Sequence, residues 1–163
     1  MFLRFAARDV AFAVVSVGVW FLLAERSAGV GVMADFSGVA AGAMLGICAY
    51  LLHEWGHLLG ALATRSRLEA AQSLRAGFIF SFDSRENSLA QFLVMSFSGF
   101  VATAAVVWAY YVYLPDGLLA TRVARGIVLL LAFGGIVAEF PLVLFALRKR
   151  AIPRVATVSV RGS

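Results

Sequence analysis

Apolar residues gather in four long runs along the chain, at about Val10–Ala24, Val39–Ala63, Leu89–Leu114 and Ile127–Leu147. The last three reach the ~20 residues a helix needs to cross the hydrocarbon core of a bilayer. The first is shorter and becomes a crossing if it begins near Phe5. Arg4 and Arg8 ahead of it also fit a signal peptide, but the residues around Ala24 make a poor cleavage site. Between the second and third runs the period changes. From Leu74 to Asp83, residues Leu74, Ala76, Phe78, Phe80 and Phe82 alternate with Arg75, Gly77, Ile79, Ser81 and Asp83. Period two predicts a strand with one apolar face, interrupted at Ile79. Such a strand could dip into the membrane interface, pair with an extended peptide, or cap the bundle. The pattern as a whole predicts an all-α integral membrane protein. It has about four transmembrane helices and a short amphipathic β segment in the cytoplasmic loop between helices two and three. Residues 1–150 read as one membrane-embedded domain and 151–163 as a polar tail.

Composition agrees with this picture. Hydrophobic residues make up 62% of the chain and charged ones 14%, against about 25% charged in soluble domains. A soluble fold of this size has too little interior for so much apolar surface, so the lipid bilayer is the expected surroundings. The net charge of +5 would suggest nucleic acid in another setting. Here the basic residues flank the apolar runs, as membrane orientation requires, and no nucleic-acid partner is expected. Arg4 and Arg8 precede the first run, Arg65, Arg67, Arg75 and Arg85 follow the second, and Arg148, Lys149, Arg150 and Arg154 follow the fourth. The positive-inside rule then places both termini in the cytoplasm, with Arg122 and Arg125 as exceptions on the other side. Arginine outnumbers lysine thirteen to one, a bias of GC-rich bacterial genomes, so the expected location is a bacterial cytoplasmic membrane. The single cysteine, Cys48, excludes an internal disulfide.

The candidate chemistry sits inside the second run, at His53-Glu54-Trp55-Gly56-His57. Four residues of helix turn through about 400°, which brings both imidazoles to one face. Both can ligate one ion while Glu54 reaches a water bound beside them. These are the chain's two histidines, and polar groups in an apolar span are costly to keep without a use. Two imidazoles and a carboxylate suit one Zn2+, with a position left open for water. Glu139 in the fourth run is the candidate third ligand. It has no cationic partner at its depth, and counting residues to the basic flanks puts it level with His57. Pro141 nearby could open the helix around it. The alternative for Glu139 is a protonated acid bonded to a neighbouring helix. Cys48, five residues from His53, faces elsewhere.

The stretch Leu51-Leu52-His53-Glu54-Trp55-Gly56-His57-Leu58-Leu59-Gly60, the basic turn and β segment after it, and Ser98-Gly99-Phe100 resemble the site-2 protease family of intramembrane zinc metalloproteases. The resemblance spans roughly residues 45 to 145. Phe100 and Thr103 stand where that family often has proline and asparagine. Ala138-Glu139-Phe140-Pro141 stands where it usually has a Leu-Asp-Gly segment. It implies an intramembrane endopeptidase, with His53, His57 and Glu139 on zinc and Glu54 as general base. The substrate would be a membrane protein or peptide cut in or near a transmembrane segment. Two other readings remain open: a metal-binding protein without chemistry, and a membrane assembly partner. The Gly42–Gly46 and Gly56–Gly60 spacings allow close helix packing, within the chain or in a homo- or hetero-oligomer.

Overall fold

The structure, a computed structural model, describes residues 2–153; Arg154 and most of the expected polar tail lie outside the described residues. The elements in order are α1 (Leu3–Leu23), a 3-10 turn (Glu25–Ala28), α2 (Val32–Ala63), β1 (Leu68–Ala70), β2 (Phe80–Phe82), α3 (Leu89–Tyr113), α4 (Leu119–Ala138) and α5 (Phe140–Lys149). Four helical segments are long and apolar enough to cross a membrane, the fourth being α4 and α5 together. Their outward faces carry Val10, Val14, Phe21, Leu130, Phe133 and Ile136 among other exposed apolar side chains, a surface compatible with lipid.

Three of the four helical segments start earlier than the apolar runs. α1 begins at Leu3 and so includes Arg8 and Asp9, whereas the hydropathy pattern begins its first run at Val10. α2 begins at Val32 and α4 at Leu119. Polar residues in the opening turns blunt hydropathy without preventing helix, because their side chains find partners, as Asp9 does with Arg8 and Trp55.

α2 is the spine, with α1, α3 and α4 all packed on it. Two glycine stripes make this possible. A Cβ on Gly42 would lie 2.5 Å from the Ala120 carbonyl oxygen and 2.6 Å from Val123 Cβ, and one on Gly46 would lie 2.6 Å from Ile127 Cγ2. Toward the other end, a Cβ on Gly56 would lie 2.6 Å from Ala102 Cβ and 2.7 Å from the Ser98 carbonyl oxygen. α4 therefore seats on the first half of α2 and α3 on the second, both at small-residue spacing.

Arg125, an exception in the charge pattern, has a structural use. Its guanidinium donates to the carbonyls of Tyr110 (3.1 Å), Leu114 (3.0 Å) and Tyr111 (3.3 Å) and pairs with Asp116 at 2.6 Å. It closes the C-terminal end of α3, where carbonyls lack helical donors and the dipole favours a cation.

The loop between α2 and α3 corrects the strand expectation. Only Phe80–Phe82 is strand, paired antiparallel with Leu68–Ala70 in the register Leu68↔Phe82, Glu69↔Ser81, Ala70↔Phe80. Residues 71–79 cross back over the bundle without regular structure. Ile79, the residue that breaks the apolar alternation, is fully buried against Phe5 and Leu58, while Phe78 is 69% exposed. Asn87 ties the hairpin to the bundle: its carbonyl oxygen accepts from Arg67 N–H at 2.7 Å, and its amide donates to the Arg67 and Asp83 carbonyls. α3 then starts on a capping box of Ser88 and Gln91.

Candidate metal centre

His53 and His57 stand one turn apart on α2, their rings edge to face with centroids 4.5 Å apart. α3 orients both. The His53 ring places Nδ1 2.8 Å from Thr103 Oγ1 and 3.2 Å from the Gly99 carbonyl oxygen. The His57 ring places Nδ1 2.9 Å from the Met95 carbonyl oxygen. Carbonyl oxygens only accept, so each Nδ1 carries the proton and each Nε2 presents a bare lone pair. Met95, Gly99 and Thr103 are spaced four apart and form one row on α3, matching the two histidines across the interface. Gly99 lets that row approach: a Cβ there would overlap the His57 ring.

The two Nε2 atoms lie 3.1 Å apart. Glu139 joins them, with Oε1 3.1 Å from His53 Nε2 and Oε2 3.3 Å from His57 Nε2. The carboxylate arrives through a break in the fourth span. Glu139 is at once the end of α4 and the start of α5, and Pro141 stands in the first turn of α5. The Glu139 carbonyl still accepts from Leu142 and Val143, so backbone hydrogen bonding carries across the break while the side chain meets the histidines. His53 is buried, and the Glu139 side chain is 35% exposed.

Two aligned lone pairs and a carboxylate directed at one point are a donor set for a divalent cation. The ligand atoms of a tetrahedral ion held at about 2.0–2.1 Å stand roughly 3.3 Å apart, close to the three separations above. The group His53, His57 and Glu139 could thus hold a metal ion, and the sequence expectation of these three residues in one place agrees with their geometry.

Glu54 is buried beside this group, on the stretch of α2 between Tyr50 and Leu58. The sequence did not single out three further contributors. Asp9, buried on α1, accepts from Trp55 Nε1 at 2.8 Å and from Arg8 Nε at 2.6 Å, so the variable position of the histidine motif docks α1. Asp9 thus lies inside α1, one residue ahead of the apolar run that begins at Val10. Tyr50, one turn before Glu54, donates to the Gly77 carbonyl at 2.7 Å. Thr103, noted only as a departure from the family pattern, is a hydrogen-bond partner of His53. The four-residue spacing of Gly99 and Thr103, equal to that of the histidines, was the available signal. Comparison of the chain with family models, with curated proteins and with solved structures finds no match, so the likeness of residues 51–60 to the site-2 proteases stays a resemblance.

Proposed function

We propose that this chain is an intramembrane zinc-dependent endopeptidase that hydrolyses a peptide bond in or near a transmembrane segment of its substrate. The observation that carries it is the convergence of His53 Nε2, His57 Nε2 and the Glu139 carboxylate, with Glu54 buried alongside. Those three residues would hold the ion. When bound, zinc would acidify a water and polarise the scissile carbonyl.

The chain's own groups supply the rest. Glu54 takes a proton from the attacking water on its carboxylate and delivers it to the leaving amide nitrogen. The α3 carbonyls hold each imidazole in the tautomer that leaves Nε2 free. Glu139 supplies the negative charge that balances a divalent cation. A substrate helix must unwind near the hairpin, since helical amides are shielded by their own hydrogen bonds. Four apolar helices and the flanking arginines support a bacterial cytoplasmic membrane with both termini inside. Arg125, bonded to the α3 carbonyls, no longer weighs against that orientation.

The test is hydrolysis of fluorescein-labelled casein by the zinc-loaded, detergent-purified protein, with Glu54→Gln as the comparison. The expected result is full zinc content and lost cleavage in the variant. Equal cleavage by both proteins would remove the mechanism. Zinc binding with no cleavage by either would favour the metal-binding protein without chemistry.

A further inference from the structure

The 71–79 crossing runs along α2 past Glu54 as an extended peptide would, and two side chains of the bundle hold its backbone. Arg8 donates to the Leu74 carbonyl at 2.5 Å and Tyr50 to the Gly77 carbonyl at 2.7 Å. The Ile79 side chain is pegged between Phe5 and Leu58, so the segment follows α2 from Tyr50 to Leu58, with Glu54 between them. Beyond that peg the segment is lightly attached: Gln72, Ser73, Leu74, Arg75, Gly77 and Phe78 are exposed. One backbone bond, Ala71 N–H to the Ile79 carbonyl at 3.0 Å, closes its base. Arg8 is itself fixed, because Asp9 beside it bonds to Trp55 in the histidine motif.

We infer that residues 74–79 form a built-in strap over Glu54, held by Tyr50 and Arg8, and that an incoming extended peptide must displace it to reach the centre. This rests on the metalloprotease reading and adds its regulation. A peptide in the strap's place meets a phenol donor for one carbonyl, one turn of α2 from the Glu54 carboxylate. The strap therefore competes with substrate for the groups that would bind it. Both bonds to the strap are at the exposed edge of the bundle, so each is of the modest net strength usual for exchange with water. Opening is then a minor but accessible state.

The experiment compares wild type with Tyr50→Phe, which removes one hydroxyl and keeps the ring. Two readouts are followed on the zinc-loaded full chain in detergent: hydrogen exchange of the 71–80 segment, and the rate of zinc loss to a chelating dye. Losing one hydrogen bond should speed both by roughly 2- to 12-fold at unchanged zinc content. Unchanged exchange would overturn the strap, because Tyr50 would not be holding the segment. Faster exchange with unchanged zinc loss would overturn it too, because the segment would not be covering the centre. A wild-type protein that takes up no zinc would defeat the metal reading itself, and the strap with it for want of a site to cover.

Discussion

Replacing Gly99 by alanine tests the interface between α3 and the histidines. The added Cβ would stand 2.6 Å from His57 Nδ1 and closer still to Cε1 and Nε2, whereas ordinary contact begins at 3.4 Å. The ring must retreat by about 0.8 Å or more, yet Nδ1 is bound to the Met95 carbonyl at 2.9 Å. Metal ligands tolerate displacements of about 0.2 Å, so His57 Nε2 leaves its place 3.1 Å from His53 Nε2. Loss of outer support around a ligand weakens metal binding by about 10- to 100-fold, which corresponds to about 1.4–2.7 kcal/mol. Overpacking adds about 1–3 kcal/mol of lost stability. The assay is a zinc dissociation constant by chelator competition on detergent-purified protein, beside thermal unfolding. Gly134→Ala is the control, since nothing lies within 4 Å of its added Cβ, and it should bind zinc as wild type does. A Gly99→Ala protein within about twofold of wild-type zinc affinity would refute the reasoning, because that change falls well short of the usual outer-support effect.

Thr103→Val should weaken zinc binding by about tenfold through loss of the 2.8 Å contact to His53 Nδ1, while Thr103→Ser stays near wild type by the same competition assay. Glu54→Gln should keep its zinc and lose at least about 100-fold in casein hydrolysis, measured as initial rates. Arg125→Ala leaves three α3 carbonyls without their donor and should lower unfolding stability by about 2–3 kcal/mol in a denaturant titration, with zinc content unchanged. Trp55→Phe should cost about 1 kcal/mol in the same titration, because Asp9 keeps Arg8 but loses the indole N–H.

The bundle was legible because hydropathy at this length has one common solution, and the α3 boundaries fall within a residue of the apolar run. His53 and His57 were legible because both sit on one helix at fixed spacing. Glu139 was reachable by a depth count, since helical rise is constant. The hairpin was less so. Its alternation is real over 80–82, but Ile79 is buried by Phe5 and Leu58, contacts some 74 and 21 residues away that no local period contains. The role of Asp9 was hidden by its place at the edge of an apolar run, where a carboxylate reads as a flank. Its partner is an indole on α2. Thr103 was hidden because a family pattern draws attention to the residue it lacks rather than to the hydrogen bond it makes.

The break at Glu139 also bears on which backbone groups of an apolar bundle need a polar neighbour. Pro141 occupies the position whose N–H would serve the Val137 carbonyl and has none to give. A carbonyl deprived of its helical donor is tolerated at membrane depth only where protein groups or a wet cavity can serve it. Val137 precedes Glu139 by two residues on the same segment, and the Glu139 side chain is itself partly open. The proline that interrupts the span beside Glu139 thus removes one helical donor from the same stretch. A membrane span broken at an acid is therefore also a span with a backbone acceptor to satisfy, and both demands favour a polar setting at that level.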